Sequence, residues 1–255
     1  MIFDSHVHTA ASPDCDSPPE EVIAAAAKKN LGIIFTEHVD YNTQLEPFFS
    51  VDFDIYPKEY LRYKSDTVLL GFELSLIPEA HKLNQAHASE PGIDYVIGSI
   101  HWTDGHDLAQ SQDYYNKLGY GVYARHLEYA REMVELNEFF DVLGHIDYIS
   151  RWSPLPEKNL FYEEHSTAYD ELMKALIKRD KLLELSSARL ADKTARDNLF
   201  IIYSRYHELG GRYVTLGSDS HGPERLGINF NIAKEMIAEI GLRAVYFKDR
   251  RMVEC

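Results

Sequence analysis

The chain has 255 residues (29.4 kDa), 45% of them hydrophobic and 26% charged, which excludes wholesale disorder and allows one sizeable core. Its 26 basic and 41 acidic residues leave a formal net charge of −15, which excludes nonspecific association with nucleic acid or anionic membranes but not the binding of a small anion at a locally positive site. Two cysteines, Cys15 and Cys255, cannot build a disulfide framework, no basic-then-apolar leader is seen, and no apolar run approaches the roughly 18–20 residues of a bilayer span, so a soluble cytoplasmic protein is expected.

The predicted elements begin with the apolar run Ile2–Val7. Short runs of this kind, bounded by turn residues, suit buried parallel strands. Ser17-Pro18-Pro19-Glu20 reads as a helix start, with Ser17 as cap, Pro18 at the first helical position and Glu20 completing a capping box. Ala24–Lys29 continues that helix and Gly32 is predicted to stop it. Further strands are predicted at Leu31–Thr36, Thr67–Leu74, Tyr95–Ile100, Val142–Ile146, Leu182–Leu185, Tyr213–Leu216 and Ala244–Phe247. Helices are predicted at Tyr123–Glu138, Glu163–Lys178, Arg196–Leu209 and Phe230–Ile240, and long loops at Pro47–Pro57 and Thr103–Tyr120. No linker divides the chain. Alternating strands and helices in seven or eight units predict a single α/β domain over residues 1–255 with a closed or distorted barrel.

Six of the predicted strand ends carry a residue type that binds metals. His6 and His8 close the first run at i and i+2, a spacing that turns both imidazoles to one face. His38 follows the second run, Glu73 ends the third, His101 the fourth and His145 the fifth, while Asp219 and His221 follow the seventh, again at i and i+2. All are C-terminal strand ends, which in a parallel barrel converge on the face that holds active sites. With Asp14 the set has nine members, too many for one zinc ion and suited to two or three divalent transition metals, zinc, manganese or iron. No phosphate loop, dinucleotide fingerprint, nucleophile elbow or paired-cysteine motif competes with this reading.

These residues resemble those of the polymerase-and-histidinol-phosphatase (PHP) metallohydrolases, and within them the histidinol-phosphate phosphatases. The D-x-H-x-H opening stands as Asp4-Ser5-His6-Val7-His8, the second motif as Thr36-Glu37-His38 with glutamate for the usual aspartate, and the closing G-S-D-S-H as Gly217 to His221. Glu73, Gly98-Ser99-Ile100-His101-Trp102 and Gly144-His145 fill the motifs between. Asp14 occupies a slot that is His or Asp among relatives. The resemblance implies a distorted (β/α)7 TIM-like barrel, a trinuclear metal site and hydrolysis of a phosphomonoester by metal-activated water, with Asp14, His38 and Asp219 as catalytic candidates. Among the family's activities, the lone-domain length, the acidic charge and the segment Asp141–Ile149 favour a small phosphate monoester, L-histidinol phosphate, over phosphotyrosine protein or nucleic acid. A non-catalytic metal-binding protein is the alternative of another class. Arg151 and Arg189 follow the fifth and sixth runs and are candidates for gripping phosphate, because guanidinium matches its oxygens in pairs.

Overall fold

Near-continuous apolar segments such as Ile33-Ile34-Phe35 and Val68-Leu69-Leu70 fold as strands buried on both faces. In the computed structural model, which describes residues 1–255, the elements run β1 (Phe3–Val7), α1 (Pro19–Lys28), β2 (Gly32–Tyr41), β3 (Pro47–Ser50), β4 (Val68–Ser75), α2 (His81–Ala88), β5 (Tyr95–Ser99), β6 (Trp102–Thr103), β7 (His106–Asp107), α3 (Gln112–Leu118) and α4 (Gly121–Leu136). They continue β8 (Val142–Leu143), α5 (Ile149–Trp152), α6 (Tyr162–Lys178), β9 (Leu182–Ser186), α7 (Lys193–Glu208), β10 (Tyr213–Gly217), α8 (Phe230–Ile240), β11 (Arg243–Lys248) and β12 (Arg251–Glu254).

Strands β1, β2, β4, β5, β8, β9 and β10 pair in parallel in that order, the expected seven-stranded arrangement. The ring closes where β1 meets the segment after β10. Val7 bridges Ser220, and the His8 N–H donates to the Ser220 carbonyl at 2.8 Å. Asp4 stitches the same seam, accepting from the Ser218 N–H (2.9 Å), the Ser218 hydroxyl (2.6 Å) and the Gly227 N–H (2.8 Å). Strand β11 pairs only with the start of β10 and turns back into antiparallel β12. The eighth predicted strand therefore flanks the opposite end of the barrel, where Tyr246 stacks on Phe3 at 3.9 Å.

The period-2 alternation of the strands divides the interior. Phe3, Ile34, Leu69, Tyr95, Ile97, Val142 and Phe247 form one small apolar cluster, separate from the large one between strands and helices that holds Phe35, Leu70 and Phe72. Two to four residues further along the same faces stand Thr36, His38, Glu73 and Ser99, all buried. The barrel is thus plugged with hydrocarbon at one end and with imidazole and carboxylate at the other.

Several local expectations are corrected. The Ser17 capping box does not form: Pro18 is the N-cap, in extended conformation, and no side chain caps the helix. Asn30, at φ 54°, and not Gly32, turns the chain out of α1. Gly32 instead admits the ring of Phe3, whose carbons would lie 2.5 Å from a Cβ there. Strand β2 runs five residues beyond Thr36, because β4 pairs with the extension as far as Val39 and β3 from Val39 to Tyr41. Both predicted loops contain structure: β3 in the first, and the ribbon β6–β7 with α3 in the second. The short polar helix α2 and the edge strand β12 lacked a periodic apolar signal.

Candidate metal centre

Strand geometry delivers the predicted residues to one point. Glu73, at the upper end of β4, is fully buried and lies at the middle. Its Oε2 is 3.2 Å from His6 Nε2, 3.5 Å from His8 Nε2 and 3.0 Å from His38 Nδ1. Its Oε1 is 3.2 Å from His101 Nε2 and 2.8 Å from His145 Nε2. Asp219 Oδ1 lies 3.5 Å from His6 Nε2 and 3.3 Å from His8 Nε2. Asp219 has φ 52°, a left-handed conformation that aspartate tolerates and that strained functional positions often use. At the mouth, Asp14 Oδ2 is 2.8 Å from His221 Nε2 and 3.5 Å from His38 Nε2. All nine predicted ligands therefore meet.

Behind the cluster, a second set of groups fixes the rings. Glu184 accepts from His6 Nδ1 at 2.7 Å and from the His145 backbone N–H at 2.8 Å. Asp40 accepts from His101 Nδ1 at 2.8 Å. Ser12 lies 3.3 Å from His8 Nδ1, accepts from the His38 N–H at 3.0 Å and donates to Glu37 at 2.6 Å. These contacts leave Nε2 of His6, His8 and His101 for the centre, the arrangement by which carboxylates orient metal-binding histidines. Gly217 makes room for it: a Cβ there would sit 2.0 Å from Glu184 Oε1 and 2.6 Å from the His6 Cβ. Sequence reasoning missed Glu184 and Asp40. The available signals were a carboxylate amid the apolar Leu182–Ser186 strand, and an Asp two residues beyond His38 on the same strand face.

The central atoms are crowded, yet apart from His145 Nε2 on Glu73 Oε1 they are left without hydrogen bonds to one another. His6 Nε2, His8 Nε2, His38 Nδ1 and Glu73 Oε2 are buried and have no hydrogen-bond partner. Uncompensated burial of this kind costs about 1–3 kcal/mol per group, so such atoms ordinarily have partners. Four groups of three donors, His8/His38/His221, His6/His145/Asp219, His6/His8/Glu73 and His38/Glu73/His101, each bring their ligand atoms within 4.8 Å of one another. The donor set fits divalent cations.

Electrostatics lead to the same conclusion. Burial lowers His6 and His38, yet the carboxylates outweigh it. Glu184 and Glu73 hold His6 well above its usual range, and Glu73 and Asp14 lift His38 to about 10. Despite burial, His6, His101 and His38 keep Glu73 well below the carboxylate range. Burial and the neighbouring His38 push His8 down to about 3. Without a cation, the buried anions draw protons onto imidazoles. A metal would replace those protons.

Above the cluster opens a cavity of about 330 Å³, large enough for a small molecule. Asp14, His38, Glu73, His101, His145, Asp219, His221 and Arg151 line it together with Asp40, Phe48, Phe49, Trp102, Asp107, Ala109, Gln110, Tyr148 and Trp152. His6 and His8 lie deeper, with no exposed surface. Arg151 donates to Asp219 Oδ2 and, at 3.1 Å, to the Ser186 hydroxyl. Arg189 is not part of the cavity wall. Its guanidinium donates to Asp147 at 2.5 Å and to Asn159 at 2.6 Å. Histidines 81, 87, 106, 126, 165 and 207 all stay outside the donor groups.

A family model described as the PHP domain matches residues 4–188. The chain is 40% identical over 252 residues to a "Probable histidinol-phosphatase" of Clostridium acetobutylicum, with 99% of each covered. It is 26% identical over 251 residues to a "Histidinol-phosphatase" of Lactococcus lactis, covering 94% of this chain and 91% of the relative. Its fold superposes on the crystal structure of the histidinol phosphate phosphatase of Lactococcus lactis, a protein complexed there with zinc, L-histidinol and phosphate. The TM-score is 0.89 at 24% identity, over 99% of both chains.

Proposed function

The chain belongs to the PHP domain family, and from that premise we propose that it is a metal-dependent phosphomonoesterase that hydrolyses L-histidinol phosphate to L-histidinol and phosphate. The observation that carries this reading is the ring of buried, unpartnered donor atoms directly beneath a small cavity walled by Arg151. The relatives' names supply the substrate. The reaction places the enzyme in histidine biosynthesis. No helix is long and apolar enough to cross a membrane, and two unpaired cysteines suit the reducing cytoplasm.

His6, His8, Asp14, His38, Glu73, His101, His145, Asp219 and His221 would hold two to three divalent ions, zinc, manganese or iron. When bound, such ions lower the pKa of water and neutralise charge on phosphate. The protein supplies position and field. Arg151, at the cavity wall, donates to the phosphate oxygens in place of its bond to Asp219. Arg189 reinforces it from behind Asp147, whose carboxylate also acts on Arg151. Asp14, His38 and Asp219 face the cavity and each contacts a further polar group there, so they handle water and protons at the reacting centre. Asp40 and Glu184 keep the rings in one tautomer throughout.

The test is a substrate panel with metal-replete protein. L-Histidinol phosphate should give the highest kcat/KM, above phosphotyrosine peptides and nucleotides. Faster turnover of phosphotyrosine peptides would reassign the enzyme to that class, and metal binding without turnover of any ester would make it a binding protein.

A further inference from the structure

Strand β3 adds something that the seven-stranded barrel does not need. It pairs antiparallel with the extension of β2, with Val39 opposite Ser50 and Asp40 opposite Phe49, but Tyr41 opposite Pro47. The register slips by one residue there, and the extra residue is Phe48. Regular alternation would send Phe48 and Phe49 to opposite faces of the ribbon. Instead both line the cavity, because a bulge re-aims the side chain at the slip. Phe49 sets its edge against His38 at 5.4 Å, and Phe48 packs edge-on against Trp102 at 5.5 Å. Phe48 nevertheless stays 45% exposed at the cavity wall.

The hairpin is also held in shape. Asn42 Oδ1 accepts from the backbone N–H groups of Gln44 and Glu46, both at 3.0 Å, and the Asn42 N–H donates to the Glu46 carbonyl at 3.1 Å. The ring of Phe48 is therefore presented by a braced turn, which limits the ordering cost of any contact it makes.

We propose that the β3 hairpin is the specificity arm of this enzyme, and that Phe48, backed by Trp102, packs against the flat ring of the substrate's alcohol moiety while its phosphate lies over the donor cluster. The proposal rests on the histidinol-phosphatase reading and deepens it. It assigns the aromatic selectivity to a residue outside every motif that binds metal or phosphate. The occupant is the ring of the bound ester, because the arm and the donor cluster line one continuous cavity. The contact acts on binding rather than on the chemical step, since Phe48 touches none of the reacting groups.

The experiment compares two substrates on metal-loaded, full-length protein: L-histidinol phosphate, and O-phosphoethanolamine, which has phosphate and amine but no ring. Phe48→Ala should raise KM for histidinol phosphate about tenfold, the scale of an aromatic packing contact. It should raise the inhibition constant of L-histidinol alike and leave kcat, metal content, inhibition by inorganic phosphate and all phosphoethanolamine kinetics unchanged. Phe48→Tyr should keep native values, whereas Phe48→Leu should behave like Phe48→Ala. Equal losses on both substrates, no change on either, or a leucine as good as tyrosine would each overturn the assignment. A wild-type enzyme that cleaves phosphoethanolamine but not histidinol phosphate would remove the underlying reading instead, a result distinct from all of these.

Discussion

The front and the back of the histidine cluster are built from the same residue types and behave in opposite ways. At the back, Glu184, Asp40 and Ser12, itself bonded to Glu37, meet ring nitrogens or backbone N–H groups at 2.7–3.3 Å. At the front, His6 Nε2, His8 Nε2, His38 Nδ1 and Glu73 Oε2 are as deeply buried and have no partner. A fold that pairs the outer nitrogens of His6, His8 and His101 and leaves the inner ones of His6 and His8 unpartnered has concentrated unpaired polar atoms where a cation would bind. The back supplies rigidity and the front supplies affinity, so perturbing each side should give different symptoms.

The largest effect should come from emptying the front. Chelation should abolish phosphatase activity, and added zinc or manganese should restore it. Elemental analysis of protein purified without chelator should find two or three ions per chain. The metal-free chain should also acquire a pH signature. His38 is held at about 10 against an ordinary 6.5, so its contribution to stability is complete below about pH 6.5 and lost as the pH rises through about 10. The melting temperature of the metal-free protein should fall over that window, while that of the loaded protein stays flatter. Identical profiles for the two forms would show that the front atoms do not share a cation.

Next come single front-side ligands. Asp219→Asn or His8→Ala should lower turnover by about a thousandfold or more, with circular dichroism unchanged and fewer ions bound. A folded variant with near-native kcat would remove that residue from the centre. On the back, Glu184→Gln should cost about 10–100-fold in metal affinity or activity, the usual scale for a residue that orients a ligand. Raising the metal concentration should recover part of that activity, which it should not do for Asp219→Asn. If the two variants respond alike, the front and back do not have separate roles.

Much of this contrast is legible in the amino-acid sequence alone. Front residues lie at the ends of apolar runs, and the i, i+2 spacings of His6/His8 and Asp219/His221 announce a shared face. The back is harder to read because its partners are far apart in the chain: Glu184 is 178 residues from His6, and Asp40 is 61 from His101. The seven-strand ring can be read from hydrophobic runs, but its closure cannot, since the seam depends on Asp4 finding Ser218 and Gly227 across the whole chain. The β3 hairpin escapes for another reason. Pro47 and a one-residue slip break the alternation by which a strand is recognised, and the same slip is what turns Phe48 into the cavity.

Arg189 offers the finest test of the comparison. Its position after the sixth strand suggests a phosphate ligand, yet its guanidinium is engaged with Asp147 and Asn159, one carboxylate removed from Arg151. On the proposed function it belongs to the back, where it would neutralise Asp147 so that the field of Arg151 reaches the substrate undiminished. Arg189→Ala should leave metal content intact and lower kcat/KM about tenfold, the low end of what a charge-assisted bond of roughly 1.5–3 kcal/mol supplies. Arg189→Lys should recover part of the loss, because an ammonium keeps the charge beside Asp147 but cannot reach Asn159 with a second prong. The double variant Arg189→Ala with Asp147→Asn should recover as well, since the unbalanced carboxylate is then gone. If the double variant is no better than Arg189→Ala, the guanidinium must leave Asp147 and grip the phosphate itself during turnover, and Arg189 belongs with Arg151 at the front.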